Sequence, residues 1–277
     1  MTTTILMTGA NTGIGRAAAE QLASPGVHLV LACRSLERTR PVLAEVQRRG
    51  ATAEFLELDL SNLGQAMDAG RAFAASHDAL DILVNNAGIA GGQGLTQDGW
   101  EVAFGTNHLG HFAFTLPLLP LLDAAEGRVV HVSSGRHYEA RTLPFERLRT
   151  PNRGPVGMRQ YAVSKLCNIL FTAEIRRRYS RISATSMNPG RIASDIFRRA
   201  PGPLRKLLPI LFRMESAATG GALLVHAIRA EAKGEALPLY FDRRSPRTPS
   251  PLARDEALAK RLWDFSKEAI DALGNRA

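Results

Sequence analysis

Tyr161 and Lys165, in the run Tyr161-Ala162-Val163-Ser164-Lys165, stand four residues apart, so on a helix they share one face about one turn from each other. A phenol titrates near 10, too high for efficient proton exchange at neutral pH, and a cation close by is needed to stabilise its ionised form. Lys165 is placed to supply that charge. Upstream, Val132-Ser133-Ser134 closes a strand-like run that begins at Arg128, which puts a hydroxyl at a strand end. Tyr138 also follows these serines, but four residues beyond it stands Thr142, not a lysine.

A second chemistry-bearing stretch lies near the N-terminus. Thr8-Gly9-Ala10-Asn11-Thr12-Gly13-Ile14-Gly15 follows the apolar run Thr4 to Met7 and precedes a helical pattern from Arg16 to Leu22, so a glycine turn joins strand to helix. Gly9 permits the tight turn, Gly13 lets backbone approach phosphates, and Gly15 lets the helix pack close on the strand. The first N–H groups of the helix are left free for an anion, which is how a dinucleotide pyrophosphate is held. Asn85-Asn86-Ala87-Gly88 ends another buried-looking strand, Asn107 lies in Gly105-Thr106-Asn107-His108-Leu109-Gly110, and Pro189-Gly190 follows the run Ile182 to Asn188.

The elements that must position these residues alternate along the chain. Strands are expected at 4–8, 27–33, 53–59, 81–86, 128–134, 182–188 and 237–242, and helices at about 14–24, 37–49, 62–76, 98–124, 158–180, 215–232 and 254–273. Such alternation predicts an α/β chain with a doubly wound parallel sheet of about seven strands, a Rossmann fold, in one domain spanning 1–277. Three segments break the rhythm: 135–157, 196–214 and the Pro-rich Ser245 to Pro251.

These pieces, in this order across residues 4–195, resemble the short-chain dehydrogenase/reductase family, whose first two fingerprint glycines have three residues between them. The resemblance implies a catalytic set of Asn107, Ser134, Tyr161 and Lys165. In that family the tyrosine gives or takes the proton of the substrate oxygen, the serine orients that oxygen, and the asparagine holds a water that links the lysine to solvent. Ser134 matches better than Ser133, which the sequence leaves open. The implied cofactor contacts are Gly9, Asn11, Thr12, Gly13, Ile14, Gly15, Asp59, Leu60, Asn85, Ala87, Gly88, Tyr161, Lys165, Pro189, Gly190, Ile192 and Ser194, the last standing where many members have threonine. Within the family, Ala32-Cys33-Arg34, Asn107 to Phe112, Ser164 to Thr172 and Ala253 to Trp263 look like the retinol dehydrogenase branch. The light-driven protochlorophyllide reductases are close relatives, and a double-bond reductase of that type is an alternative reading. Those enzymes carry a functional cysteine directly after the Pro-Gly, where this chain has Arg191.

Family members specific for NAD place an acid at the end of the second strand, against the adenine-ribose hydroxyls. Here Cys33 and then Arg34 stand there, with Ser35 and Arg38 near. A guanidinium suits a 2′-phosphate, so the expected cofactor is NADP(H). The leading function is NADP(H)-dependent hydride transfer between nicotinamide and a carbonyl or alcohol of an apolar small molecule, a carbonyl-reductase activity. A non-catalytic NADP-binding regulator is the alternative that the complete Asn-Ser-Tyr-Lys set argues against.

Residues 196–214, rich in Phe197, Leu204, Leu207, Leu208 and Leu211 with Arg198, Arg199, Arg205 and Lys206 between them, match the family's substrate lid and also permit a peripheral membrane contact. The terminal segment 252–277 is expected to end the fold as a helix. Residues 1–127 carry a net charge of −6 and residues 128–277 of +15; with 30 of 35 basic residues arginine, a solvated arginine-rich face accounts for this more simply than a partner. No nucleic-acid motif is present. His108 and His111 sit at helical spacing, but no further ligand completes a set, so no metal is expected. Two cysteines without framework spacing and no apolar run of about 20 residues point to a soluble, cytoplasmic protein, and the resemblance implies a monomer or homodimer. The family pairs through the helices expected at 98–124 and 158–180.

Overall fold

A computed structural model describes residues 2–152, 157–192, 214–230 and 236–274. Short β-branched and aliphatic runs form β1 (Thr3–Thr8), β2 (Val27–Cys33), β3 (Thr52–Glu57), β4 (Ile82–Asn85), β5 (Arg128–Val132), β6 (Ser183–Asn188), β7 (Tyr240–Asp242) and β8 (Ser245–Pro246). They assemble in the order β3-β2-β1-β4-β5-β6-β7-β8. β1 to β7 are parallel and β8 returns antiparallel on β7. The sheet therefore has eight strands where about seven were expected. Pro246 can take part because an edge strand needs no donor on its outer side.

Strand order reverses between β1 and β4, so a crevice opens beyond the carboxyl ends of these two strands, where ligands of doubly wound sheets bind. The chain residues that end β1, β4, β5 and β6 are those singled out above.

Helices pack on both faces. On one, α1 (Gly13–Leu22) and α2 (Leu36–Arg48) bury Ala18, Leu22, Val42 and Val46 against Leu29 and Leu31. On the other, α3 (Leu63–Ser76) and the helices spanning Met158–Arg178 and Glu256–Gly274 bury Phe73, Leu166, Leu170 and Leu262. The expected helix 98–124 is broken: α4 (Val102–Phe104), a π turn (Gly105–Leu109), α5 (Gly110–Thr115), a 3-10 turn (Leu116–Leu118) and α6 (Leu119–Ala124). Pro117 and Pro120 lack the N–H that a continuous α-helix needs, and the buried Glu101 carboxylate caps the start by accepting from the N–H groups of Ala103 and Phe104. π turns concentrate at functional sites.

α7 (Met158–Arg178) carries the Tyr-Lys pair, and α8 (Ala217–Arg229) lies beside α1. The C-terminal helix, expected across 252–277, is α9 (Glu256–Gly274), preceded by a 3-10 turn at Leu252–Arg254. Its Trp263 meets Phe112 edge-to-face and Phe171 at a tilt, with ring centroids 5.1 and 5.8 Å away. Ser194, residues 196–213 of the expected lid, and 275–277 lie outside the described residues. Among the described residues no helix is long and apolar enough to cross a membrane.

Candidate active site

The glycine turn between β1 and α1 is tied to the end of β4. Gly9 has φ +66°, and a Cβ there would lie 2.9 Å from Cα of Ala87; a Cβ on Gly15 would lie 2.4 Å from the carbonyl of Gly9. Side chains larger than hydrogen therefore cannot occupy either position. Thr8 Oγ1 accepts from the backbone N–H groups of Asn86 and Ala87, both at 3.0 Å. Asn86 Nδ2 donates to the carbonyls of Thr8 and Gly9. Thr12, extended, precedes α1 and makes no side-chain cap, so the first N–H groups of the helix face the crevice without a partner from that side chain. This cradle fits a pyrophosphate.

Adjacent asparagines take opposite roles here. Asn85, expected to contact cofactor, turns its buried side chain into the core, where Nδ2 donates to Thr115 Oγ1 and His131 Nε2, each 3.0 Å away. Asn86, which the motif reading passed over, holds the glycine turn. Alternation along β4 is the cause: once Asn85 points inward, its neighbour must point the other way.

At the end of β2, Cys33 is buried and its thiol is pushed up by burial. Arg34 and Arg38 are exposed, and neither makes an ion pair among the described residues. Ser35 caps α2 by accepting from the Arg38 N–H at 3.3 Å. Asp59 is half-buried and accepts from both the N–H and the hydroxyl of Ser61, while Leu60 is buried. Across the crevice Ile192, after the Pro189-Gly190 turn, is buried, and a Cβ on Gly220 would lie 2.8 Å from Ile14 and 3.0 Å from Ile192, so these two side chains flank the start of α1.

β5, the π turn and α7 bring the other four residues together. Tyr161 is buried and hydrogen-bonded to the side chain of Ser134. Lys165, also buried, donates from Nζ to the Val132 carbonyl at 2.8 Å and lies 5.6 Å from the Tyr161 ring centroid. A Cβ built on Gly88 would lie 3.3 Å from Asn107 Oδ1 and 3.4 Å from Lys165 Nζ, so Gly88 is where strand end, π turn and lysine meet. Asn107 Oδ1 accepts from the Ile89 N–H at 2.8 Å, and its Nδ2 donates to the Ile89 carbonyl and to Ser164 Oγ. Both amide protons are thereby used, and the side chain braces the 86–89 turn against α7. The Ser133 hydroxyl donates to the backbone carbonyl of Lys165 at 2.8 Å, so of the two serines it is Ser134 that meets Tyr161.

Burial pushes the Tyr161 phenol up to about 12, against the hydrogen bond from Ser134 and the charge of Arg136. Burial also lowers the Lys165 ammonium to about 7. Both groups are thus driven toward their neutral forms, and Tyr161 holds its proton at neutral pH.

His108 and His111 do not converge. His108 Nε2 is 3.0 Å from Ser266 Oγ, whereas His111 Nδ1 donates to the Asn107 carbonyl and its Nε2 accepts from Thr8 Oγ1.

The sequence pattern of the family described as short chain dehydrogenase matches residues 3–143. The human protein named Dehydrogenase/reductase SDR family member 13 is 38% identical over 276 residues, 95% of this chain and 72% of its own. Human Retinol dehydrogenase 12 is 34% identical, covering 96% of this chain and 85% of its own. The crystal structure of an uncharacterized protein from Mycobacterium Paratuberculosis superposes with a TM-score of 0.74 at 31% identity, over 97% of this chain and 93% of that one.

Proposed function

This chain belongs to the short-chain dehydrogenase/reductase family of nicotinamide-dependent oxidoreductases, and we propose that it is an NADP(H)-dependent enzyme interconverting a carbonyl and an alcohol on an apolar small molecule. The observation that carries this reading is the meeting of Ser134, Tyr161, Lys165 and Asn107 around Gly88, beside the glycine cradle.

The cradle from Gly9 to Gly15 would hold the pyrophosphate, with Asn86 fixing its shape. Arg34 and Arg38 would take the 2′-phosphate, since two exposed guanidiniums without ion pairs among the described residues favour a dianion there. NADPH when bound supplies the hydride. In reduction, Tyr161 gives its proton to the substrate oxygen as that oxygen gains charge, and the Ser134 hydroxyl orients both groups. Lys165 stabilises the phenolate left behind, its ammonium held in place by the Val132 carbonyl. Asn107 positions the turn and α7 rather than the proton, because its amide protons are already committed to Ile89 and Ser164.

An apolar substrate is supported by the name of the human relative, Retinol dehydrogenase 12, and by Phe197, Leu204, Leu207, Leu208 and Leu211, which follow the site in sequence. Two buried free thiols, Cys33 and Cys167, support a reducing compartment such as the cytoplasm.

NADPH oxidation measured over a series of apolar aldehydes, ketones and quinones tests the proposal. Turnover should appear with NADPH in preference to NADH and vanish in Tyr161→Phe without loss of NADPH binding. A Tyr161→Phe variant with near-normal kcat, or a protein that binds NADPH and reduces no carbonyl, would overturn it.

A further inference from the structure

At the edge of the sheet opposite the cofactor crevice, three side chains with metal-ligating atoms converge. His28 stands at the start of β2, Glu54 on β3, and His77 directly after α3. Parallel register pairs His28 with Thr52, and Glu54, two residues on from Thr52, faces the same side of the sheet. α3 carries the chain back to this edge and delivers His77. Oε1 of Glu54 lies 3.1 Å from Nε2 of His77 and 4.0 Å from Nε2 of His28, and one ligand atom from each residue falls within 4.8 Å of the others.

Hydrogen bonds orient both rings. His77 Nδ1 lies 2.9 Å from Ser76 Oγ and 3.2 Å from the Phe73 carbonyl. His28 Nδ1 lies 2.8 Å from Thr52 Oγ1. With each Nδ1 engaged on its own side, the two Nε2 atoms are turned toward one carboxylate. Two imidazole nitrogens and a carboxylate oxygen thus converge on one point, and a divalent metal there would engage all three at once.

We propose that His28, Glu54 and His77 form a binding site for a divalent transition metal of the zinc class, with water as a fourth ligand. Two imidazoles and a carboxylate are a donor set that Zn2+ takes. Tetrahedral coordination at the usual bond lengths places ligand atoms about 3.3 Å apart, a spacing the 3.1 and 4.0 Å separations bracket. The bonds from each Nδ1 to a carbonyl or hydroxyl are the outer contacts that orient metal-binding histidines. Such an ion would link the starts of β2 and β3 to the end of α3. It stands a strand length, about 20 Å, from the crevice, so its role is to stabilise the fold and not to take part in hydride transfer.

Isothermal titration of the tag-free, chelator-stripped full-length protein with Zn2+ alone tests this, with Co2+ absorption as a second readout. The expected result is one site per chain of micromolar or tighter affinity, a Zn2+-dependent rise in Tm, and a tetrahedral Co2+ spectrum. His28→Gln, Glu54→Gln and His77→Gln should each weaken binding at least about tenfold while NADPH affinity stays unchanged. His226, the other histidine that is not buried, serves as control: His226→Gln should bind as the parent does. Absence of Zn2+ binding in the micromolar range, or binding indifferent to the three replacements, overturns the proposal and leaves an ordinary polar contact between His77 and Glu54.

Discussion

The hydroxyl of Ser133 donates to the backbone carbonyl of Lys165, 2.8 Å away, while the next residue, Ser134, is hydrogen-bonded to Tyr161. One serine thus ties β5 to α7, and its neighbour faces the Tyr161 hydroxyl. Ser134→Ala should lower kcat about 100-fold or more, as loss of an oriented donor does, with little change in Tm. Ser133→Ala should do the reverse: a stability loss of about 1 kcal/mol for a missing buried hydrogen bond, with kcat largely retained. Parallel steady-state kinetics and urea unfolding of the two variants check the assignment, and a larger kcat loss in Ser133→Ala would reverse it.

Arg34 follows Cys33 at the end of β2, exposed and with no ion pair among the described residues. If it holds the 2′-phosphate, Arg34→Ala should weaken NADPH binding by about 10- to 100-fold and leave NADH nearly unaffected, since NADH lacks that group. Titration of both cofactors into both proteins gives the answer. Equal losses would mean that Arg34 acts through the fold.

These two cases mark where sequence was readable. The glycine turn and the Tyr161-Lys165 spacing are local patterns whose geometry follows from strand, turn and helix periodicity, so both are legible in the sequence. The choice between Ser133 and Ser134, and between Asn85 and Asn86, depended on which residue of an adjacent pair points into the core. Sequence at a strand end does not fix this, because the inward polar residue is satisfied by distant partners such as His131 and Thr115. The stretch 98–124 read as one helix because its apolar periodicity is strong, yet Pro117, Pro120 and the π turn at Gly105–Leu109 interrupt it. β8 was hidden by its proline. His28, Glu54 and His77 have no spacing to notice, since only the β2–β3 register brings them together.

His108 and His111 are fully buried, and burial holds both rings down to about 3. In the unfolded chain each takes a proton near 6.5. Stability from these groups is therefore complete above about pH 6.5 and is lost progressively as pH falls toward 3, because only the unfolded state binds the proton across that window. His111 has a further reason to stay neutral: Nδ1 donates to Asn107, and a proton on Nε2 would face Thr8 Oγ1, which already accepts from Asn86 and Ala87. His111→Ala should cost about 1–3 kcal/mol at pH 7.5 by removing the buried hydrogen bonds of the ring to the Asn107 carbonyl and the Thr8 hydroxyl, and should flatten the acid limb of stability against pH. Urea unfolding at pH 7.5, 6, 5 and 4 measures both effects; an unchanged acid limb would place the sensitivity elsewhere.

The helices through which the family pairs are covered here by the chain's own C-terminus. α9 sets Trp263 against Phe112 and Phe171, Ser266 against His108, and Asp264 against Arg178. Between Tyr161 and Ile175, α7 has no exposed residue. A dimer through the α5 and α7 faces would have to displace α9 and expose Trp263, only 7% accessible, together with the rings it contacts. Truncating a buried Trp of this kind typically costs about 3–5 kcal/mol, and displacing the whole helix costs more, which sets a barrier that a pairing surface would first have to overcome. The protein should therefore be a monomer at micromolar concentration in light scattering coupled to size exclusion. Trp263→Ala should lower Tm sharply and, by loosening α9, promote self-association through the uncovered face. A stable dimer in the parent protein that persists in Trp263→Ala would show that pairing uses a different surface and that α9 does not guard this one.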